Sequence, residues 1–216
     1  MFITLEGGEG SGKSTVAREL ADRLEKQGLI VMLTEEPTGT PLGKHIWRYF
    51  QDQSSPSLSP LAELLLFEAA RAQHVEKVIR PAIANGSIVI CDRFADSSVA
   101  YQGHGRGLSE ELVERLNAVA TGGLRPDLTL LLDIPVETGL ERAKRAHAGK
   151  EGAGQSEDAI GKESIEFHLR VHGGFAEIGR GEPARVNVID ASRPLEAVVE
   201  DAWGRVQSAL AGAGRS

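Results

Sequence analysis

Eight consecutive residues, Gly7-Gly8-Glu9-Gly10-Ser11-Gly12-Lys13-Ser14, have the spacing of a loop that cradles phosphate. Closely spaced glycines let successive backbone N–H groups converge on phosphate oxygens with no Cβ in the way, and a following helix N-terminus adds partial positive charge. In such a P-loop Lys13 reaches the β- and γ-phosphates and the Ser14 hydroxyl binds Mg²⁺, with Thr15 opening the helix behind it. The alternative is a Gly-rich turn that holds nothing. It is opposed by the flanking sequence: Phe2-Ile3-Thr4-Leu5 reads as a strand, and Val16, Ala17, Leu20, Ala21 and Leu24 share one face of a helix.

Other chemistry-bearing residues lie further along. Ser87-Ile88-Val89-Ile90-Cys91-Asp92 is an apolar strand ending in a carboxylate, which would act on Mg²⁺ or orient a substrate beside the P-loop. Arg93 follows at once, then a loop-rich stretch holding Asp96-Ser97-Ser98, Tyr101-Gln102 and Arg106, where Arg93 and Arg106 offer forked contacts to phosphate. Phe67, Arg71 and His74 fall on one side of a helical segment. An aromatic and an arginine four residues apart would stack on a planar base and donate to its edge, or else Phe67 is a surface ring covered by a neighbouring helix. Glu35-Glu36-Pro37-Thr38-Gly39-Thr40-Pro41 is a loop at a strand's C-terminal end, suited to positioning substrate or Mg²⁺, or simply solvated. A nucleotide cradle beside a second cluster (Glu9, Phe67, Arg71, Arg93, Tyr101, Gln102) points to phosphoryl transfer onto a small molecule. The Asn-Lys-x-Asp guanine signature is absent.

The elements that must position these groups follow from the pattern. A chain of 216 residues with 41% hydrophobic content fits one α/β domain, taken as residues 1–210 with a frayed tail at 211–216. Strands are expected at 2–5, 29–33, 87–92, 128–133 and 185–190, alternating with helices, so the fold should be a three-layer P-loop sandwich with a five-stranded parallel sheet. Leu29 to Leu33 reads as a buried strand. From Ser59 to Gly86 the pattern is helical, with Pro81 a kink or break, and the stripe Leu61, Leu65, Ala69, Ala72, Ile79, Ile83 should face the core. Ser109 to Thr121 is a helix stopped by Gly122-Gly123. Glu163 to Gly179 is another, offering Ile165, Phe167, Leu169 and Val171 to the core. Glycines among polar residues from Gly149 to Gly161 suggest a mobile lid spanning about 143–162.

Charge and composition exclude some roles. With 24 basic against 31 acidic residues the net charge is −7, which disfavours nucleic acid and anionic membranes as partners. No apolar run approaches the roughly 18 residues of a membrane span and no leader pattern is present, so a cytoplasmic protein is expected. The single Cys91 reads as a small buried hydrophobe.

Taken together, Leu5-Glu6-Gly7, the P-loop, Glu36-Pro37-x-Gly39-Thr40-Pro41-Leu42-Gly43, Leu65-Leu66-Phe67, Arg71-Ala72-Gln73-His74, Asp92-Arg93-Phe94 and Asp96-Ser97-Ser98-x-Ala100-Tyr101-Gln102-Gly103 resemble the bacterial thymidylate kinases, from residue 2 to about 195. The resemblance implies transfer of the ATP γ-phosphoryl to dTMP with Mg²⁺, in a homodimer. It implies that Phe67 stacks on thymine and that Arg71 and Gln102 serve the base edge. Arg93 would bind the dTMP phosphate, Glu9 the 3′-hydroxyl and Tyr101 the sugar at C2′, with Glu36, Pro37, Ser97 and Ser98 completing that side. Since the P-loop lacks arginine, the lid side should supply the catalytic cation, with Arg142 and Arg145 available: one for adenine and, by preference, Arg145 for the phosphates. Three places differ from the family pattern: Glu35 stands where Arg is common, Lys44, Trp47 and Arg48 where an acid and a later Arg are usual, and Asp158-Ala159-Ile160-Gly161 where Asp-Arg-x-Glu closes the lid. A weakened nucleotide-binding homologue, or a kinase of another deoxynucleotide, are the other readings of these differences.

Overall fold

The computed structural model describes residues 1–52, 54–148, 161 and 163–213. Most of the expected lid, including Lys150, Ala159 and Lys162, and the last three tail residues lie outside that set. Five strands, β1 (Phe2–Glu6), β2 (Val31–Glu35), β3 (Ile88–Asp92), β4 (Leu128–Asp133) and β5 (Val186–Asp190), pair in parallel in the order β2-β3-β1-β4-β5. The helices are α1 (Lys13–Lys26), α2 (Pro41–Gln51), α3 (Pro60–His74), α4 (Arg80–Ala84), α5 (Ala95–Ser98), α6 (Glu110–Thr121), α7 (Val136–Ala148), α8 (Ile165–Gly181) and α9 (Leu195–Ala213). Widened π turns at Val75–Ile79 and Val99–Gly105 join α3 to α4 and extend α5.

The alternation of a strand sorts the core into two layers. Ile3, Leu5, Ile88, Ile90, Leu128, Leu130 and Leu132 pack against α1 and α9, while Phe2, Val89 and Cys91 pack on the opposite face against Val75, Ile79 and Phe94. Cys91 is indeed a buried small hydrophobe, its thiol donating to the Arg93 carbonyl. β1 is buried throughout because β3 and β4 flank it on both sides. That arrangement puts the P-loop, which leaves β1, at the centre of the sheet's C-terminal edge.

Several expectations are corrected. β2 starts two residues later than expected and is the sheet's outer strand, paired only with β3, so Leu29, Met32 and Leu33 are exposed rather than buried. On α3 the apolar stripe is turned outward: Leu61 and Leu65 are 43% and 48% exposed, and the buried side is Glu63, Leu64, Glu68, Arg71 and His74. Burial of that polar side is sustained by pairing, Glu68 with Arg71 along the helix and Glu63, Arg71 and His74 with Arg106, Glu36 and Thr34 of other segments, as buried polar groups require. Pro81 neither breaks nor ends the segment; the π turn before it widens the helix where its missing N–H and ring would otherwise disrupt the ladder. On α8, Phe167 and Val171 are buried while Ile165 and Leu169 face solvent, because residues two apart lie on different sides of a helix. The stretch after Arg93 is helical, not loop; Gly105 lets it approach α8, where a Cβ would sit 2.7 Å from the Phe167 ring. α9 runs through Ala213, past the expected fray point. α6 has the expected ends: Ser109 accepts from the Leu112 N–H, and Gly122 adopts φ 56° beyond the last turn.

Candidate active site

A cleft of about 800 Å³ opens along the C-terminal edge of the sheet. Its floor is the P-loop. Gly12 adopts φ 93° at the N-terminus of α1, which aims the first helical N–H groups into the cleft. Gly10 packs so closely against the backbone of Gly139 in α7 that no side chain fits between loop and helix. Lys13 is buried, and its Nζ donates to Gly8 O at 2.8 Å, Gly7 O at 3.1 Å and Ser11 Oγ at 3.2 Å. Burial, then the nearby Arg93 charge, pull its ammonium down to about 8, against the opposing pull of Asp92 and Glu9.

β3 delivers Asp92 beside β1, opposite Leu5. Ser14 Oγ donates to Asp92 Oδ2 at 2.5 Å, while Asp92 Oδ1 is buried and has no hydrogen-bond partner. A buried acceptor of that kind beside a hydroxyl fits a hard divalent cation with oxygen ligands. Among the described residues no group of three or more His, Cys, Asp or Glu could hold a metal alone. Ser14 and Asp92 fit the sparser arrangement typical of Mg²⁺, in which one carboxylate is joined by water and phosphate oxygens.

Arg93 takes a left-handed backbone, φ 68°, an uncommon state for a non-glycine residue. Its amide is tied to Leu5 O at 2.9 Å, and the next amide, of Phe94, donates to Glu6 Oε1 at 2.8 Å. Those bonds turn the Arg93 side chain back over the P-loop. Its guanidinium donates to Gly7 O, to Ser97 Oγ and, at 2.9 Å, to Glu9 Oε1, and it lies 5.0 Å from the centre of the Tyr101 ring. Tyr101 also donates to Glu9 Oε1 at 2.9 Å. Burial works against a charge on Glu9, but Arg93 and Lys13 outweigh it and hold its carboxyl below the usual range. Beneath this layer Glu6, fully buried, accepts from Ser97 as well; burial and the neighbouring Asp96 push it up to about 8.

The opposite wall comes from α2, α3 and the loop after β2. Phe67 is half-buried, stacked on Phe50 at 4.8 Å between ring centres. Arg71 reaches the cleft, but its donors are engaged: Nε with Glu36 at 2.9 Å, and the others with Glu68, Ser98, Asn117 and Phe94 O. Glu36, which follows β2 and precedes the cis Pro37, also meets His74. Pro37, Ser97, Ser98 and Gln102 line the same space.

Two assigned cations fall elsewhere. Arg106 does not line the cleft; it is paired with Glu63 and Glu163. Arg145 is 81% exposed in its side chain and pairs with Glu141, because the cleft side of α7 is the one holding Arg142, Ala143 and Ala146. Arg142 donates to the carbonyls of Ala191 and Ser192 and separates the main cleft from a smaller one, about 400 Å³, walled by the 191–195 turn and α1. That turn carried no sequence signal. On α2, Lys44, Trp47 and Arg48, which stand out in the sequence only as departures from the family pattern, line the main cleft with Gln51 at helical spacing.

Comparison with known proteins agrees in sequence and structure. A family model described as thymidylate kinase matches residues 5–202. The chain is 47% identical over 209 residues to the thymidylate kinase of Syntrophotalea carbinolica, covering 97% of this chain and 96% of that one. It is 47% identical over 215 residues to the thymidylate kinase of Desulfovibrio desulfuricans, covering 100% and 99%. The crystal structure of thymidylate kinase from Ehrlichia chaffeensis superposes with a TM-score of 0.69 at 36% identity, covering 88% of this chain and 91% of that one.

Proposed function

The chain belongs to the thymidylate kinase family, and we propose that its cleft carries out that family's reaction, transfer of the ATP γ-phosphoryl to the 5′-phosphate of dTMP to give ADP and dTDP. The observation that carries this reading is the single cleft joining the P-loop to the Phe67, Arg71 and Gln102 wall. No observation favours a kinase of another deoxynucleotide or a weakened homologue.

Little covalent work falls to the protein in phosphoryl transfer, so positioning and charge neutralisation are what its residues supply. Gly7, Gly8, Gly10, Ser11 and Gly12 present backbone N–H groups to the ATP phosphates, with Thr15 behind them, and Lys13 exchanges its loop carbonyls for phosphate oxygens. When bound, Mg²⁺ neutralises charge on the β- and γ-phosphates, held through Ser14 and Asp92. Arg93, prefixed over the P-loop by its left-handed backbone, lies where donor and acceptor phosphates must meet and serves the dTMP phosphate. Glu9 and Tyr101 address the sugar, and Phe67 the base. Glu36 and Pro37, together with Ser97 and Ser98, complete the wall, Glu36 and Ser98 by fixing Arg71. Arg142, beside the 191–195 turn, serves the adenine end of ATP and is the better placed of the two α7 arginines to act on the nucleotide.

The enzyme is proposed to be a cytoplasmic homodimer. No helix of the described residues is long and apolar enough to cross a membrane, and solvent-facing Leu61 and Leu65 on α3 support contact with a second copy. A coupled phosphoryl-transfer assay with ATP, Mg²⁺ and a panel of nucleoside monophosphates tests the function, and sedimentation tests the dimer. Preference for any acceptor other than dTMP, or no turnover at all, would overturn the reading.

A further inference from the structure

Arg106 has phosphate-binding chemistry but no access to the cleft, which leaves its fork to be explained. Its Nε lies 3.1 Å and 3.2 Å from the two oxygens of Glu63, a terminal nitrogen lies 2.9 Å from Glu63 Oε2, and the other donates to Glu163 Oε1 at 2.6 Å. The guanidinium also sits 4.6 Å from the centre of the Phe167 ring. Glu63 is thereby held rigidly as a buried carboxylate, 5% exposed. Its Oε1 has one further partner, Gln102 Nε2, at 2.9 Å. Gln102 is itself 3% exposed and lines the cleft.

A carboxylate only accepts, whereas the two ends of an amide have opposite hydrogen-bond character. Glu63 can therefore be satisfied only by the NH₂ end of Gln102, and the carbonyl end is what remains for the cleft. We propose that Glu63 and Arg106 are positioning residues that set base selection, by locking the Gln102 amide so that it presents an acceptor to the base edge. The inference rests on the dTMP reading above and deepens it. Thymine carries a donor, N3–H, between its two carbonyls. Cytosine has an unprotonated ring nitrogen there, so a fixed carbonyl oxygen would set two acceptors against each other in a site sheltered from water. A base lacking the N3–H is refused, while the same device does not separate dTMP from dUMP, whose N3–H is identical.

Glu63→Gln tests this because it turns the lock around. Arg106 would claim the carbonyl oxygen of the new amide, leaving its NH₂ to face Gln102, whose own oxygen must then turn inward and its NH₂ toward the base. The expected result is a fall of at least about tenfold in the ratio of kcat/KM for dTMP over dCMP, expressed in KM for dTMP, with KM for ATP unchanged. A ratio within about twofold of the parent in a Glu63→Gln protein of native melting behaviour overturns the proposal. A second measurement needs no variant: calorimetric titration of the unaltered enzyme with N3-methyl-dTMP, which lacks the donor, should give binding at least about tenfold weaker than dTMP, and equal binding overturns the proposal even if Glu63→Gln does not fold. Absence of dTMP turnover in the unaltered enzyme would instead sink the functional reading on which it rests, and the proposal with it.

Discussion

Truncating Phe67 to alanine separates recognition from packing, because the residue both stacks on Phe50 and borders the cleft. One face stacks on Phe50 at 4.8 Å; the residue itself is half-buried and borders the cleft. Loss of a base–aromatic stack costs roughly 1–3 kcal/mol. At about 1.4 kcal/mol per tenfold, that weakens dTMP binding by about 5-fold to 150-fold. For a half-buried ring the same change costs roughly half of the 3–5 kcal/mol in stability that a fully buried Phe→Ala costs, which a fold of ordinary stability survives. KM for dTMP should therefore rise within that range while KM for ATP stays put, and the melting temperature should drop by several degrees. Phe50→Ala is the control. Phe50 is 5% exposed and does not line the cleft, so its loss should destabilise the protein more while moving KM for dTMP less. Equal shifts in both Michaelis constants for Phe67→Ala, or a larger dTMP effect from Phe50→Ala, would refute the stacking role and leave Phe67 as packing.

Other expectations are as direct. Lys13→Ala should lower kcat by ~10²-fold or more with little change in melting, and an unchanged kcat would remove the P-loop assignment. Arg142→Ala should raise KM for ATP, whereas Arg145→Ala, whose exposed pair with Glu141 contributes little, should leave both constants within about twofold; the reverse pattern would reassign the two. Asp92→Asn should raise the Mg²⁺ concentration needed for half-maximal rate, and an identical Mg²⁺ titration would exclude Asp92 from that role. Glu6, pushed up from 4.5 to about 8 by burial and Asp96 against the pull of Ser97, Arg93 and the Phe94 amide, holds a proton in the folded state that the unfolded chain has released. Its contribution to stability is full below about 4.5 and is lost as pH rises through about 8. Glu6→Gln keeps an acceptor for the Phe94 amide and removes this titration, so its melting temperature should vary less over that range; parallel pH profiles for both proteins would refute the buried proton.

What could be read from the chain alone was the part written in backbone chemistry. The P-loop glycines, the apolar strands β1, β3 and β4 and Asp92 at a strand's end each carry a local physical signature, and each stands where its signature places it. The misplaced parts are those whose position depends on a neighbour. Leu29 to Leu33 is apolar enough for a central strand, yet nothing in its own residues says that only β3 will flank it. Arg145 and Arg142 have the same side chain one turn apart, and only the packing of α7 against the P-loop decides which of them the cleft receives.

The inversion of α3 shows why apolar periodicity fails beside a polar cleft. A stripe of leucines marks a helix face that water disfavours, but burial goes to whichever face its neighbours can satisfy more completely. On α3 the charged face wins because its groups are partners in advance: Glu68 and Arg71 are one turn apart, 2.5 Å from oxygen to nitrogen, and Glu36 and Ser98 complete the arginine's contacts from two other elements. The sequence did contain a trace of this, in a Glu, Arg and His spaced at three along one face, Glu68, Arg71 and His74. On a solvated helix such spacing contributes a few tenths of a kcal/mol and is easily passed over. Buried, Arg71 cannot be removed without stranding the carboxylates of Glu36 and Glu68, so it should be costlier to replace than Leu61 or Leu65, the residues that periodicity had marked for the core.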